Sequence, residues 1–422
     1  MKEPKRRGKP AAAATKPSPA NWDPSLVYIS NPMKAPTVKQ ARKFFNSDAI
    51  KFADFNVVLG SKSKWRTCSK LACREDSRTE TSKIGLFKPN SHDIVECSAN
   101  SSHHPAINRA IKSVTNAIKS CPFVRGYREE ANEGLLKYVT FNVDVDTSTV
   151  QLTLIVNTLP DNDRDNENVS RFVQHILQAD QKTYHSIYIH YNHASKHNNN
   201  IMGRDSDIHQ WKLVHGEPNI RVLLKTTLLS DKPKLKPYLC YPPNVFRQAN
   251  LEGFTNIINT IRRWIPAKSR VIELYGGVGT IGLNCLDLCS ELQCSDENPF
   301  NKQCFDMTVG ELYKKKYSRR ATYVSQPAVR RIRDFDAFDL LLVDPPRKGL
   351  EKEVVDALTS PRARGSRLRR IVYVSCGFKA FQSNTLELLG SSRWRLVHAE
   401  GHILFPGADH IETLAVFDKV ES

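Results

Sequence analysis

Residues 271–283 read VIELYGGVGTIGL, an apolar run that breaks into Gly276, Gly277, Gly279 and Gly282 before an apolar pattern resumes. That order predicts a strand, a tight turn and a helix. Glycines suit the turn because a backbone lying against an adenosyl or phosphate group has no room for Cβ atoms, and because positive φ is open mainly to glycine. Gly277-x-Gly279-x-x-Gly282 matches the dinucleotide-binding pattern, and Asp296 stands about 20 residues on, where a carboxylate holds a ribose hydroxyl. The spacing alone leaves three readings open: a nicotinamide enzyme, an S-adenosylmethionine enzyme, and a plain strand-to-helix connection.

A chain of 422 residues is too long for one ordinary core, so two domains and a tail are expected around this stretch. No apolar run reaches the ~18 residues that a membrane span needs. The 62 Lys and Arg outnumber 44 Asp and Glu, for a net charge of +18, which favours a polyanionic partner over an uncharged one. A basic chain that is merely soluble has the same composition. Ten cysteines show no paired framework and no secretory apolar segment opens the chain, so a reduced, intracellular protein is expected. Plastid, cytoplasm and nucleus are not separated by the sequence. Nothing calls for a protein partner, and a monomer is expected.

Residues 1–25 are rich in Lys, Arg, Ala and Pro and are expected to be a disordered basic tail; Lys5-Arg6-Arg7 reads equally as an address or a phosphate-binding arm. Residues 26–239 show short alternating runs, among them YVTFNVDVDTSTVQLTLIVNTL with a hairpin turn near residues 144–149. Helical periods fall at 37–45, 107–118 and 168–178. An α+β domain with an antiparallel sheet is expected, its aromatic and basic residues suited to RNA. Residues 240–422 follow a different rhythm. A helix at 250–264 precedes strands at 270–275, 291–295, 321–325, 338–343, 370–375, 393–399 and 413–417, with helical stretches between several. This is an α/β pattern, a doubly wound and mostly parallel sheet whose last strand enters antiparallel.

Chemistry gathers at three strand ends. Residues 339–343 run into Asp344-Pro345-Pro346-Arg347-Lys348-Gly349, and ligands of open α/β sheets sit at the carboxyl ends of strands. The prolines stiffen the turn and hold Asp344 toward the crevice; a rigid turn without chemistry is the alternative. The next strand ends in Ser375-Cys376-Gly377, where a cysteine can act as nucleophile if its pKa is lowered, although most cysteines are small core residues. Such a nucleophile needs a partner for proton removal. Residues 404–412, LFPGADHIE, offer Glu412 just ahead of the last strand.

ELYGGVGTIGL, DPPRKG, YVSCGF and LFPGADHIETLAVF, with Phe246-x-Gln248-x-Asn250 ahead of the helix at 250, closely resemble the RNA uracil-C5 methyltransferases that act on ribosomal and transfer RNA. The resemblance covers residues 240–422. KIGLFKPNSHDIVECSANSSHHPAINRAIKS and GLLKYVTFNV are similar to the central RNA-contacting domain of the ribosomal branch, particularly its plant and algal relatives. The resemblance implies a Rossmann-like class I methyltransferase domain that uses S-adenosylmethionine. It further implies that Cys376 attacks uracil C6, that Glu412 later removes the C5 proton, and that Gln248, Tyr275, Gly277, Asp296 and Asp344 line the cofactor and uracil site. Ribosomal RNA is expected in preference to transfer RNA.

Departures from the family pattern stand at Gly276, where Cys is usual, and at Gly377-Phe378, where Asn-Pro is common. Cys68-x4-Cys73 lacks the close triplet of the cluster-bearing relatives, so no iron–sulfur cluster and no metal are expected. Cys285, Cys289 and Cys294 are expected to fill core in the helix and strand after the glycine turn. The small N-terminal β-barrel of many relatives is not recognisable. Two rival readings are a nicotinamide oxidoreductase, which leaves Cys376 and Glu412 without a task, and a non-catalytic RNA-binding protein.

Overall fold

The computed structural model describes residue 23 and residues 26–76, 79–88, 91–97, 99–193, 210–226, 236–312, 315–360 and 367–420. The expected disorder of residues 1–25 falls on residues outside this set, apart from Asp23, which is buried and accepts a hydrogen bond from Asn100.

The chain opens with helix α1 (Pro36–Phe45) and strand β1 (Asn56–Leu59). Pro36 at the first helical position fixes φ for the turn, and Val38, Ala41, Phe44 and Phe45 bury one face. A seven-stranded sheet follows from β2 (Cys68–Glu75), β3 (Ser82–Phe87), β4 (Ile94–Glu96), β5 (Leu136–Asp144), β6 (Thr149–Val156), β7 (Tyr184–Tyr191) and β8 (Trp211–Gly216), in the order β4-β3-β2-β5-β6-β7-β8. Helices α2 (Pro105–Ser120) and α3 (Asp163–Asp180) cover one face with an apolar core that includes Leu71, Val139, Leu152, Ile107 and Phe172. The sheet is antiparallel except at β6 and β7, which run parallel because α3 carries the chain back across the face.

Strands β9 (Ile220–Leu223) and β10 (Tyr238–Tyr241) form a separate antiparallel pair. Beyond them come α4 (Leu251–Trp264), β11 (Ser269–Leu274), β12 (Cys289–Ser295), α5 (Pro299–Gly310), α6 (Lys315–Ser318), β13 (Ala321–Val324), β14 (Leu340–Val343), α7 (Lys352–Thr359), β15 (Arg370–Ser375), α8 (Phe378–Gly390), β16 (Trp394–Ile403) and β17 (Glu412–Lys419). Asn250 caps α4 by accepting from the Gly253 N–H at 2.8 Å. The second sheet has the order β1-β16-β17-β15-β14-β11-β12-β13 and is parallel from β15 through β13. β17 enters antiparallel between β15 and β16, and apolar layers cover both faces.

Three features differ from the sequence expectation. The packing does not divide the chain at residues 26 and 239: α1 lies in the core of the second sheet, β1 pairs with β16 as its edge strand, and β9 and β10 pack with α4. A four-residue strand near residue 56 has no signal that names its distant partner. The helix expected after the glycine turn is absent, replaced by turns and a short 3-10 segment, Leu283–Cys285, because four glycines within seven residues disfavour a regular helix. Cys285 therefore lies in that turn and Cys289 and Cys294 on β12, all three buried. The segments that lead into β2 and into α4 are bonded directly: Thr67 N–H donates to the Ala249 carbonyl at 2.7 Å and Arg247 donates to the Thr67 carbonyl at 2.9 Å.

Candidate active site

Strand register alone brings the expected site residues together. Leu274 of β11 is level with Ser295 of β12 and Val343 of β14, so the next residues, Tyr275, Asp296 and Asp344, emerge side by side. Ser375 at the end of β15 pairs with Thr413 of the antiparallel β17. Cys376, one residue beyond, is thereby level with Glu412. A cavity of roughly 680 Å³ lies over these ends, and Gln248, Tyr275, Gly277, Asp296, Asp344, Cys376 and Glu412 all line it.

One half of the cavity is built to present main chain. Gly277 has φ 55°, its N–H donates to Asp296 Oδ2 at 3.1 Å, and its carbonyl accepts from Tyr323 at 2.9 Å. Asp296 Oδ1 takes a second N–H, from Asn298, at 2.9 Å. Tyr275 holds the left-handed conformation, φ 56°, unusual for a bulky residue, and its hydroxyl donates to the Glu351 carboxylate. Beneath the loop, Glu273 is buried and accepts from the Gly282 N–H at 3.1 Å, with its carboxyl pushed by burial up to about 7.

The other half holds the reactive side chains in a desolvated group. Burial lifts the Asp344 carboxyl to about 7. Burial, and then the neighbouring Asp344 charge, lifts Glu412 to about 8, with Arg347 opposing. The Cys376 thiol rises to about 12, again through burial first and then Glu412 and Asp344. The expected condition for a cysteine nucleophile, a lowered pKa, is not met: the resting thiol is protonated. His410, whose Nε2 lies 3.8 Å from Glu412 Oε1, is pushed down to about 4 by burial and is neutral.

Gly276 and Gly377 have packing reasons. A Cβ on the first would lie 2.3 Å from Cys294 Sγ, and on the second 2.2 Å from the Arg347 carbonyl oxygen. Cys68 is half-buried near Arg247 and Cys73 is buried on the same strand. Among the described residues no group of three or more His, Cys, Asp and Glu is placed to hold a metal ion.

No protein-family model matches the chain. An uncharacterised RNA methyltransferase of Protochlamydia amoebophila is 31% identical over 361 residues, which span 85% of this chain and 87% of that protein. The chain belongs to the RNA methyltransferases. A second relative, an uncharacterised RNA methyltransferase of Geobacter sulfurreducens, is 24% identical over 80% of this methyltransferase and 62% of its own length. Among solved structures, the Pyrococcus abyssi tRNA (uracil-54, C5)-methyltransferase in complex with S-adenosyl-L-homocysteine superposes with a TM-score of 0.66 at 20% identity. It covers 90% of this chain and 81% of that one, and it shows the shared Rossmann-like fold. The nicotinamide reading of the glycine turn is set aside by the family.

Several residues of the methyltransferase's cavity were not singled out in the sequence. Asn298, Asn301, Glu351 and His410 line it beside the expected set. Asn298 and Asn301 follow Asp296 into the first turn of α5, a position from which a helix N-terminus faces the sheet crevice. Glu351 lies seven residues past Asp344 in a loop without a motif and is recognisable only from its bond with Tyr275.

Proposed function

We propose that this RNA methyltransferase transfers a methyl group from S-adenosylmethionine to C5 of a uridine in RNA, by way of a covalent bond between Cys376 and uracil C6. The observation that carries the reading is the level placement of Cys376 and Glu412 on antiparallel neighbours at one cavity, with Asp344 beside them. A non-catalytic RNA-binding protein has no use for two desolvated carboxyls and a thiol at one point.

The residues fit the cofactor. The space a Cβ would occupy on Gly277 is open, with nothing within 4 Å, so a ligand can lie directly on the main chain. Asp296 is held by two N–H groups and keeps lone pairs for ribose hydroxyls. When bound, S-adenosylmethionine supplies an electrophilic methyl group.

Uracil C5 is a weak nucleophile until a thiolate adds at C6. The Cys376 proton must leave as the S–C6 bond forms, because the thiol is protonated at rest, and the Asp344 carboxylate is the acceptor beside it, so that Glu412 stays free for the C5 proton. Addition moves an electron pair to C5 and O4, and C5 then takes the methyl group. Glu412 removes the remaining C5 proton, the pair returns to the ring, the S–C6 bond breaks and the thiolate leaves. A base that titrates at about 8 suits this exchange near neutral pH. The target base must leave its stack to enter the cavity.

Ribosomal RNA is favoured as substrate by the likeness of residues 83–113 and 134–143 to the ribosomal branch. The test incubates the protein with labelled S-adenosylmethionine and either ribosomal or transfer RNA, and maps the label. Label at C5 of uridine supports the reading. Label on another atom, or transfer that persists near the normal rate in Cys376→Ala, overturns it.

A further inference from the structure

The loop between β16 and β17 carries His410 and delivers Glu412, and distant parts of the chain clasp it. Asn250 Nδ2 donates to the Leu404 carbonyl at 2.8 Å, and Trp65 packs edge-on against Phe405 with ring centroids 5.4 Å apart. Phe405 in turn meets the His410 ring edge-on at 5.1 Å. The N-terminal segment takes the other side: Tyr28 N–H donates to the Gly407 carbonyl at 2.7 Å and Thr37 N–H donates to Asp409 Oδ1 at 2.7 Å.

The last contact joins two functional elements. The first turn of α1 has N–H groups without helical partners, and its flanking residue, Ala35, has no side chain to accept them. Asp409, 372 residues away in sequence, supplies that acceptor with a charge of the favourable sign. At its other end α1 rests on α8, the helix that begins two residues after Cys376. Phe44 meets Phe378 at 6.0 Å and Phe45 meets Phe381 at 6.1 Å. One helix therefore touches both the element after the nucleophile and the loop before the base.

We propose that Asp409 is a positioning residue: by tying the loop at 404–411 to α1, it fixes Glu412 relative to Cys376 for removal of the C5 proton. The inference rests on the assignment of Cys376 as nucleophile and Glu412 as base. Asp409 touches neither, and its own side chain is exposed. Its effect is on the last chemical step, while RNA and cofactor still bind as before.

The experiment compares Asp409→Ala and Asp409→Asn in the full chain. A cap of this kind is worth a factor of about 2 to 30 in the equilibrium that holds the loop on α1, and Asp409→Ala is expected to lower kcat for release of methylated RNA within that range with KM for RNA unchanged. Because proton removal slows after the methyl group has moved, a larger share of the protein should migrate with labelled RNA on a denaturing gel, a signature that a general loss of folded protein does not produce. Asp409→Asn keeps an acceptor oxygen and should restore most of the rate. Hydrogen exchange without RNA should quicken at residues 404–411 and at the start of α1 in the alanine variant alone. Unchanged exchange there, or product release at the normal rate with no extra adduct, overturns the inference. Glu412→Gln is the control for the underlying reading. If it forms no adduct, the assignment of base and nucleophile fails, and the exchange measurement still decides the role of Asp409.

Discussion

The buried acids at the site make stability fall with rising pH, and Glu412→Gln isolates one of them. A carboxyl whose pKa is raised on folding binds its proton more tightly in the native state, so its stabilising contribution is present below the ordinary carboxylate range and is lost as pH rises through the folded value. Glu412 titrates at about 8, and Asp344 and Glu273 at about 7. Each proton fully retained by the native chain alone costs about 1.4 kcal/mol per pH unit, so between about pH 6 and about pH 8 Glu412 accounts for about 2 kcal/mol. The histidines His103, His190 and His410, held near 4, act with the opposite sign up through the ordinary histidine range, and Lys70 and Lys137, lowered to about 8, act mainly above pH ~8, but all five are common to wild type and Glu412→Gln. The difference between the two proteins therefore reports Glu412. Urea unfolding of the cofactor-free protein at both pH values should show wild type losing about 2 kcal/mol more than Glu412→Gln over the interval. Equal slopes for the two proteins would show that Glu412 is ionised in the folded chain, and the desolvation argument for the base would fall.

Glu412→Gln should also hold RNA covalently, since addition and methyl transfer survive while C5 proton loss does not; a denaturing gel with labelled RNA should show a shifted band that vanishes when Cys376 is replaced as well. Cys376→Ala should bind S-adenosylmethionine nearly as wild type does in calorimetry while losing turnover, and lost binding would place Cys376 in the fold instead of the chemistry. Gly377→Ala forces a Cβ against the Arg347 carbonyl and should destabilise by about 1 to 3 kcal/mol in denaturant titration, with no cost if the loop at residues 345–349 yields freely. With a net charge of +18, RNA affinity should drop steeply with salt, and removing residues 1–25 should flatten that slope; an unchanged slope assigns the tail another task.

Much of the site was legible because its residues stand at strand ends, where an apolar run stops and a chemical residue begins. Asp344 after DLLLV and Cys376 after RIVYVS are of this kind, and the parallel register then aligns them without further information. Glu412 was picked out as the carboxylate of LFPGADHIE just ahead of the last strand, a partner that a cysteine nucleophile would need. What escaped depends on contacts without a local pattern. The strand near residue 56 is defined by β16, about 340 residues later, and the collapse of the expected helix after Gly276 follows from glycine content that a periodic pattern conceals. Whether the Cys376 pKa is lowered was left open by the sequence, because burial, which no motif reveals, outweighs the Arg347 charge.

The seat of β17 between β15 and β16 makes one strand answer for two things. Cys376 follows β15 and Glu412 opens β17, so the two come level only when β17 is paired with β15. The same strand joins β16, and through it β1, to the rest of the sheet. Under the proposed chemistry, a variant that frays the last strand is expected to lose turnover together with the pairing of that sheet edge.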